Sequence, residues 1–170
     1  MVQKILRSGD PKLRKISKPV NKVDNKVKST IADLKDTLAS QKDPEGVGLA
    51  APQIGKNTRI FVANFKNFFR VVINPEIVKI HQTPGIRHGV LEGCLSLPNY
   101  YGPLKRAGYV KLKYLDENGK EVIETIRGFP AQIVLHEIDH LNGILFIDRL
   151  LKQKKTLYQL INGEWEEVEL

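Results

Sequence analysis

One cysteine, Cys94, stands in the 170 residues, and that excludes any intramolecular disulfide. A lone thiol suits a reducing compartment, so the expected location is the cytoplasm. No apolar run approaches the ~18 residues of a membrane span, so no membrane partner is expected. The opening residues, "MVQKILRSGDPKLRK", have neither an apolar core nor a small-residue cleavage site, which argues against a secretory signal. They also lack the serine-rich, acid-free composition of a transit peptide. An organellar origin with a trimmed leader stays open. No internal repeat and no low-complexity tract appear, which excludes solenoid and disordered classes.

Acid is scarce relative to base. There are 27 Lys and Arg against 19 Asp and Glu, for a net charge of +8. That charge reads first as a solvated basic exterior, with a transient contact with the ribosome surface as the sharper alternative. Nothing in the pattern calls for sequence-specific nucleic-acid binding. The length suits one domain spanning 1–170 and is short for two.

Periodicity sketches an α+β protein with mostly antiparallel sheet. Residues 24–41 place Val27, Ile31, Leu34 and Leu38 at helical spacing, an N-terminal amphipathic helix. The glycine- and proline-broken stretch 43–56 reads as a loop returning to extended chain. "RIFVANF" and "RVVINPEIVKI" read as strands. Alternating residues around Asn118-Gly119 read as a hairpin, and a hairpin-like tail at about 156–170 turns on Asn162-Gly163. "FPAQIVLHEIDHLNG" reads as a helix, with Pro130 at its start and Gly143 just past its end.

That last helix carries the chemistry. His136 and His140 are four apart, so their side chains stand one above the other with Cβ atoms ~5–6 Å apart. Two imidazoles aimed at one point suit a divalent metal. Glu137 lies about 100° round the helix, off the ligand face but within reach of a water held by the metal. This is the H-E-x-x-H pattern of two ligands and a general base. With only four histidines in the chain, chance would produce it roughly 0.006 times. The plainer alternative is a pair of satisfied histidines on a buried helix.

A catalytic metal commonly takes three protein ligands and keeps one position open. His81 and His88 are candidates for the third, in a stretch with no pattern around it. Cys94 has better surroundings: it sits in "LEGCLSLP", where Gly93 allows close backbone approach. On its own, a single cysteine more often packs as a small hydrophobe.

Three ordered motifs, "GVGLAAPQ" at 46–53, "EGCLS" at 92–96 and "HEIDHLNG" at 136–143, together resemble the peptide deformylase family. The likeness extends over roughly residues 4 to 150. It implies an α+β fold of mostly antiparallel sheets around a central metal-binding helix. It also implies hydrolysis of the N-formyl group from the formyl-methionine of newly made polypeptides, releasing formate. By the same resemblance Cys94, His136 and His140 hold the metal, which is Fe²⁺ in the cell and Zn²⁺, Ni²⁺ or Co²⁺ in purified material. A metal-held water is then the nucleophile and Glu137 the general base and acid. The Gln53 side-chain amide and the Leu95 backbone N–H are the expected oxyanion donors. Gly46 and Gly48 are expected to let the substrate backbone approach. Val47, Val90 and Ile133 are candidates for the methionine pocket, with plain core as the alternative. Glu92 and Asp139 are the expected carboxylate supports of the ligating histidines.

The sequence also departs from the family. Leu135 stands where glutamine is common, no basic residue occupies "NYYGP" after the cysteine motif, and the tail reads as a hairpin where several bacterial members end in a helix. A zinc protease would need a His or Glu ligand soon after the helix. No histidine follows His140, and the later glutamates fall in the last seven residues. A non-catalytic RNA-binding module with a structural metal would need four ligands, and three are visible.

Overall fold

The computed structural model, which describes residues 1–84 and 91–170, packs three α-helices against two antiparallel sheets. Strands are numbered in chain order. One sheet runs β1 (Gly48–Ala50), β2 (Ile60–Phe65), β3 (Phe68–Pro84), β6 (Ala107–Leu115), β7 (Glu121–Arg127). The other runs β4 (Glu92–Cys94), β5 (Leu97–Gly102), β8 (Leu157–Ile161), β9 (Glu164–Val168).

Helix α1 (Asn25–Ala39) begins where the extended Asp24 accepts the Val27 N–H at 3.0 Å. Its Val27, Ile31, Leu34 and Leu38 are all buried, in one cluster with Leu49, Ile60 and Val71 of the first sheet. Each such side chain contributes roughly 1.5–3 kcal/mol by leaving water.

Helix α2 (Phe129–Leu141) has Pro130 in its first turn, where a missing N–H costs nothing. It ends at Asn142, followed by Gly143 at φ +73°. Every residue from Ala131 to Leu141 is buried. A helix buried on all sides belongs inside the molecule. Ala131, Val134 and Ile138 meet Phe61, Val72 and Val110 of the first sheet, while His140 reaches Cys94 of the second.

Helix α3 (Phe146–Lys152) is a short element that periodicity did not flag. Asp148 accepts the Leu145 N–H at 2.8 Å, and Phe146 and Leu150 pack with Leu104 and Leu157 under the second sheet. The stretch read as a loop at 43–56 also contains more order: strand β1 and a 3₁₀ turn at Ala51–Ile54. Both Asn-Gly pairs are hairpin turns. Asn162 and Gly163 take φ of +50° and +80°, as the tight two-residue turn requires.

Candidate active site

Strand β4 and helix α2 bring Cys94, His136 and His140 together. Their ligand atoms lie within 4.8 Å of one another. Cys94 Sγ and His140 Nε2 are 3.3 Å apart. A tetrahedral ion with a sulfur at ~2.3 Å and a nitrogen at ~2.0 Å would hold them about 3.5 Å apart, so the spacing fits a metal.

The electrostatics fit as well. His136 Nδ1 meets Glu92 Oε2 at 2.8 Å. With that nitrogen carrying the proton, the opposite ring nitrogen is left as a ligand. Burial pushes the His136 pKa down, but Glu92 and Cys94 outweigh it and hold it well above the usual value. A field that favours a proton there favours a metal cation in the same place. Burial and the neighbouring His136 push His140 the other way, well below the usual value, so it is a neutral donor.

Behind His136 lies a buried ionic chain. Arg106 donates through Nε and Nη2 to the two oxygens of Glu92 at 2.7 and 2.8 Å, and through Nη1 to Asp139 at 2.9 Å. Arg149 donates twice more to Asp139, at 3.1 and 2.9 Å. Burial raises the Glu92 carboxyl, yet Arg106 and His136 overcome it and bring its pKa down to about 2. Glu92 is therefore a fixed anion behind His136. Asp139 reaches the cluster through Arg106 and Glu92; its oxygens accept from guanidinium groups, where a ring N–H was the expected donor.

Glu137 is 3% exposed, and among the described residues its Oε2 finds no hydrogen-bond partner. Burial pushes its carboxyl up to about 7. The carboxyl lies against Gly48: a Cβ built there would sit 2.5 Å from Glu137 Oε1. Glycine at this position makes room for the carboxyl. A cavity of about 220 Å³ opens over the group, lined by Gly46, Val47, Gly48, Leu95, Ile133 and Glu137 among others. It is smaller than the ~300–1,000 Å³ of a drug-sized site and suits one side chain and its cap.

The family comparison decides what this arrangement belongs to. The Polypeptide deformylase family model matches residues 2–156. The chain belongs to the polypeptide deformylase family. Among curated relatives, the peptide deformylase of Thermotoga maritima is 42% identical over 149 residues, covering 88% of this chain and 87% of that protein. That of Mesorhizobium japonicum is 42% identical over 153 residues, covering 87% and 84%. The crystal structure of the Thermotoga maritima enzyme superposes with a TM-score of 0.81 at 42% identity, over 88% of this chain and 97% of that one. A Synechococcus elongatus peptide deformylase in complex with actinonin gives 0.78 at 37% identity, over 86% and 78%. Deformylases are metal-dependent hydrolases that remove the N-formyl group from nascent polypeptides, and this chain is an enzyme of that kind.

Within the deformylase site the remaining expected residues can be located. Gln53 is 1% exposed; its Oε1 accepts the Ala50 N–H at 2.9 Å. Its Nε2 lies 3.1 Å from Ser96 Oγ and 3.7 Å from Cys94 Sγ. Leu95 lines the cavity beside Cys94. His81 stacks on Tyr109 at 4.9 Å, on β3 and away from the cluster. His88 and Val90 lie outside the described residues. Sequence reading missed Arg106, Arg149, Ser96 and Tyr101. Of these, only Ser96 had a signal, being the last residue of "EGCLS"; the arginines are 10 to 33 residues from their partners along the chain and meet them only in the fold.

Proposed function

We propose that Cys94, His136 and His140 hold one divalent metal, Fe²⁺ in the cell, and that formyl-methionyl peptides are hydrolysed over it. The observation that carries this reading is the convergence of three ligand atoms beside a buried carboxyl group, one of whose oxygens has no hydrogen-bond partner among the described residues, on the floor of a cavity. Bound there, the metal would supply a Lewis acid that polarises the formyl carbonyl and acidifies a water.

The chain's own groups do the rest. Glu137, with its carboxyl raised towards 7, takes the proton of the attacking water and gives it to the leaving amine. The Gln53 amide and the Leu95 N–H stabilise the developing oxyanion, a role worth ~2.7–4 kcal/mol per donor. Val47 and Ile133 form the methionine pocket, and Gly46 and Gly48 admit the peptide backbone. Glu92 orients His136, and Asp139 holds Arg106 in place behind it. We read α2 as the central metal-binding helix, α1 as an amphipathic brace, and residues 1–170 as a single catalytic domain acting in the cytoplasm, in transient contact with the ribosome. Replacing Cys94 with Ala tests the ligand set. Bound metal should fall sharply and formate release from a formyl-methionyl peptide with it; full metal occupancy in that variant would refute the assignment.

A further inference from the structure

Residues 6–17 run behind the site and bond the main chain within each of the three motifs. The Leu6 N–H donates to the Gln53 carbonyl at 2.8 Å, and the Ser8 N–H to the Ser96 carbonyl at 3.0 Å. The Ser8 hydroxyl adds a second bond to that carbonyl at 3.2 Å. Further along, the Ser17 N–H donates at 2.8 Å to the carbonyl of Leu141, the residue after His140. Between these points the segment presses on Gly143, where a Cβ would come within 2.4 Å of the Arg14 carbonyl oxygen. The motifs themselves pack in three different clusters. Leu49, Ala51 and Ile54 lie with α1, Cys94 with Phe146 and Leu150 of α3, and Leu141 with the first sheet. The N-terminal segment is a link across all three.

At its start, the segment brackets a single hydrogen bond. Gln53 Nε2 carries two N–H donors. It lies 3.1 Å from Ser96 Oγ, and 3.7 Å from Cys94 Sγ on the side of the ligand cluster. Gln53 and Ser96 are both fully buried. Leu6 and Ser8 are two places apart, and they hold the main chains of these two residues from outside. The spacing along the segment therefore sets the spacing of Gln53 and Ser96. That in turn sets where the second N–H of the amide points.

We propose that Leu6 and Ser8 are positioning residues: by keeping Gln53 and Ser96 in register, they aim the Gln53 amide at the developing oxyanion. The proposal rests on the reading of Gln53 as an oxyanion donor. Neither Leu6 nor Ser8 is among the residues lining the cavity, so substrate binding should be spared.

Ser8 allows a contained perturbation. The Asp10 N–H bonds the Arg7 carbonyl at 2.8 Å, closing a β-turn with Ser8 at its second position. Neither Ser8 nor Gly9 takes a positive φ, so the turn is of type I, where proline is favoured at Ser8's place. Ser8→Pro keeps the turn, removes both donors to Ser96 and sets a ring carbon where the N–H bond ran. Ser8→Ala removes the hydroxyl bond alone. The test measures formate release from a formyl-methionyl peptide, metal content and thermal unfolding for both variants, each in wild-type and Gln53→Ala backgrounds. Against wild type, kcat should fall about tenfold or more in Ser8→Pro, since ~1 Å of misplacement costs up to 10²-fold. Ser8→Ala should lose about two- to threefold. KM and metal content should hold. Gln53→Ala should itself be about 10²-fold slower, and Ser8→Pro should then cost no more than about twofold further. Wild-type kcat in Ser8→Pro would overturn the proposal. So would factors that multiply in the double variant, or metal lost in step with kcat, because the segment would then be general support. If Ser8→Pro does not fold, Ser8→Ala decides: an effect that persists undiminished in Gln53→Ala overturns the proposal, and one that vanishes there upholds it. Gln53→Ala at wild-type kcat would refute the oxyanion reading itself, a result separate from anything Ser8 shows.

Discussion

Gly48→Ala is the smallest change that should disable this enzyme without touching a ligand or a charge. The added Cβ would sit 2.5 Å from Glu137 Oε1, 3.0 Å from Cδ and 3.1 Å from Cγ. Restoring an ordinary contact of ~3.4 Å or more requires the carboxyl to retreat by about 1 Å, since overpacked cores relax by moving side chains and backbone. Glu137 is on a helix buried throughout from Ala131 to Leu141, so the retreat falls on its side chain or on strand β1. A displacement of ~1 Å at a catalytic group costs on the order of 10²-fold in rate. Folding should suffer less, by ~1–3 kcal/mol. Metal content should hold, because the three atoms nearest the added methyl all belong to Glu137 and none to Cys94, His136 or His140. The assay is formate release by Gly48→Ala, Glu137→Gln and the double variant, each with metal measured. If the methyl acts through Glu137, it should add little once Glu137 is already Gln, and the effects will be strongly non-additive. A Gly48→Ala enzyme near wild-type rate, or effects that multiply in the double variant, would refute the reasoning.

Arg106→Met removes the cation shared by Glu92 and Asp139, all three side chains being at most 10% exposed; urea unfolding with metal chelated should show a loss of ~3–5 kcal/mol, and replacing Glu92 as well should recover much of it. Glu124 accepts from Arg70 at 3.0 Å and from the Tyr114 hydroxyl; burial raises its carboxyl, but these bonds outweigh burial and lower it. Its contribution is therefore complete above the unfolded carboxyl value of ~4.3 and is lost as pH falls through the lower folded value, so the stability gap between wild type and Glu124→Gln should narrow below about pH 4. A gap that stays constant from pH 7 to 3 would contradict this. The Fe²⁺ enzyme should lose activity in air faster than the Ni²⁺ enzyme, since iron beside the Cys94 thiolate invites oxidation of both; equal decay under air and argon would count against it.

Much of this was legible before any fold was known, because local rules govern it. Helix α1 announced itself through four apolar residues on one side. The hairpin turns followed from Asn-Gly pairs, in which Asn162, Gly163 and Gly119 take a positive φ that few other residues tolerate. His136 and His140 converge because helical spacing alone makes them neighbours. What stayed hidden depends on distant chain segments. The Glu92–Arg106–Asp139–Arg149 chain needs β4, α2, α3 and the turn before β6 in place at once. Asp139 illustrates the limit: its adjacency to His140 suggested a bond to a ring, but the next residue on a helix points about 100° away, towards the arginines. Pro75 marks a different case. It stands inside a 17-residue strand, which survives because the register shifts between Ile73 and Glu76 and Asn74 turns to φ +51° to bond Val20.

The central claim is that Glu137 moves the proton while three other residues hold the metal. Glu137→Gln keeps the size of the side chain and removes its basicity. Turnover of a formyl-methionyl peptide should fall by at least ~10²-fold, with metal content equal to wild type. Wild-type turnover at full metal occupancy would contradict the claim, and loss of the metal would make Glu137 part of the binding site.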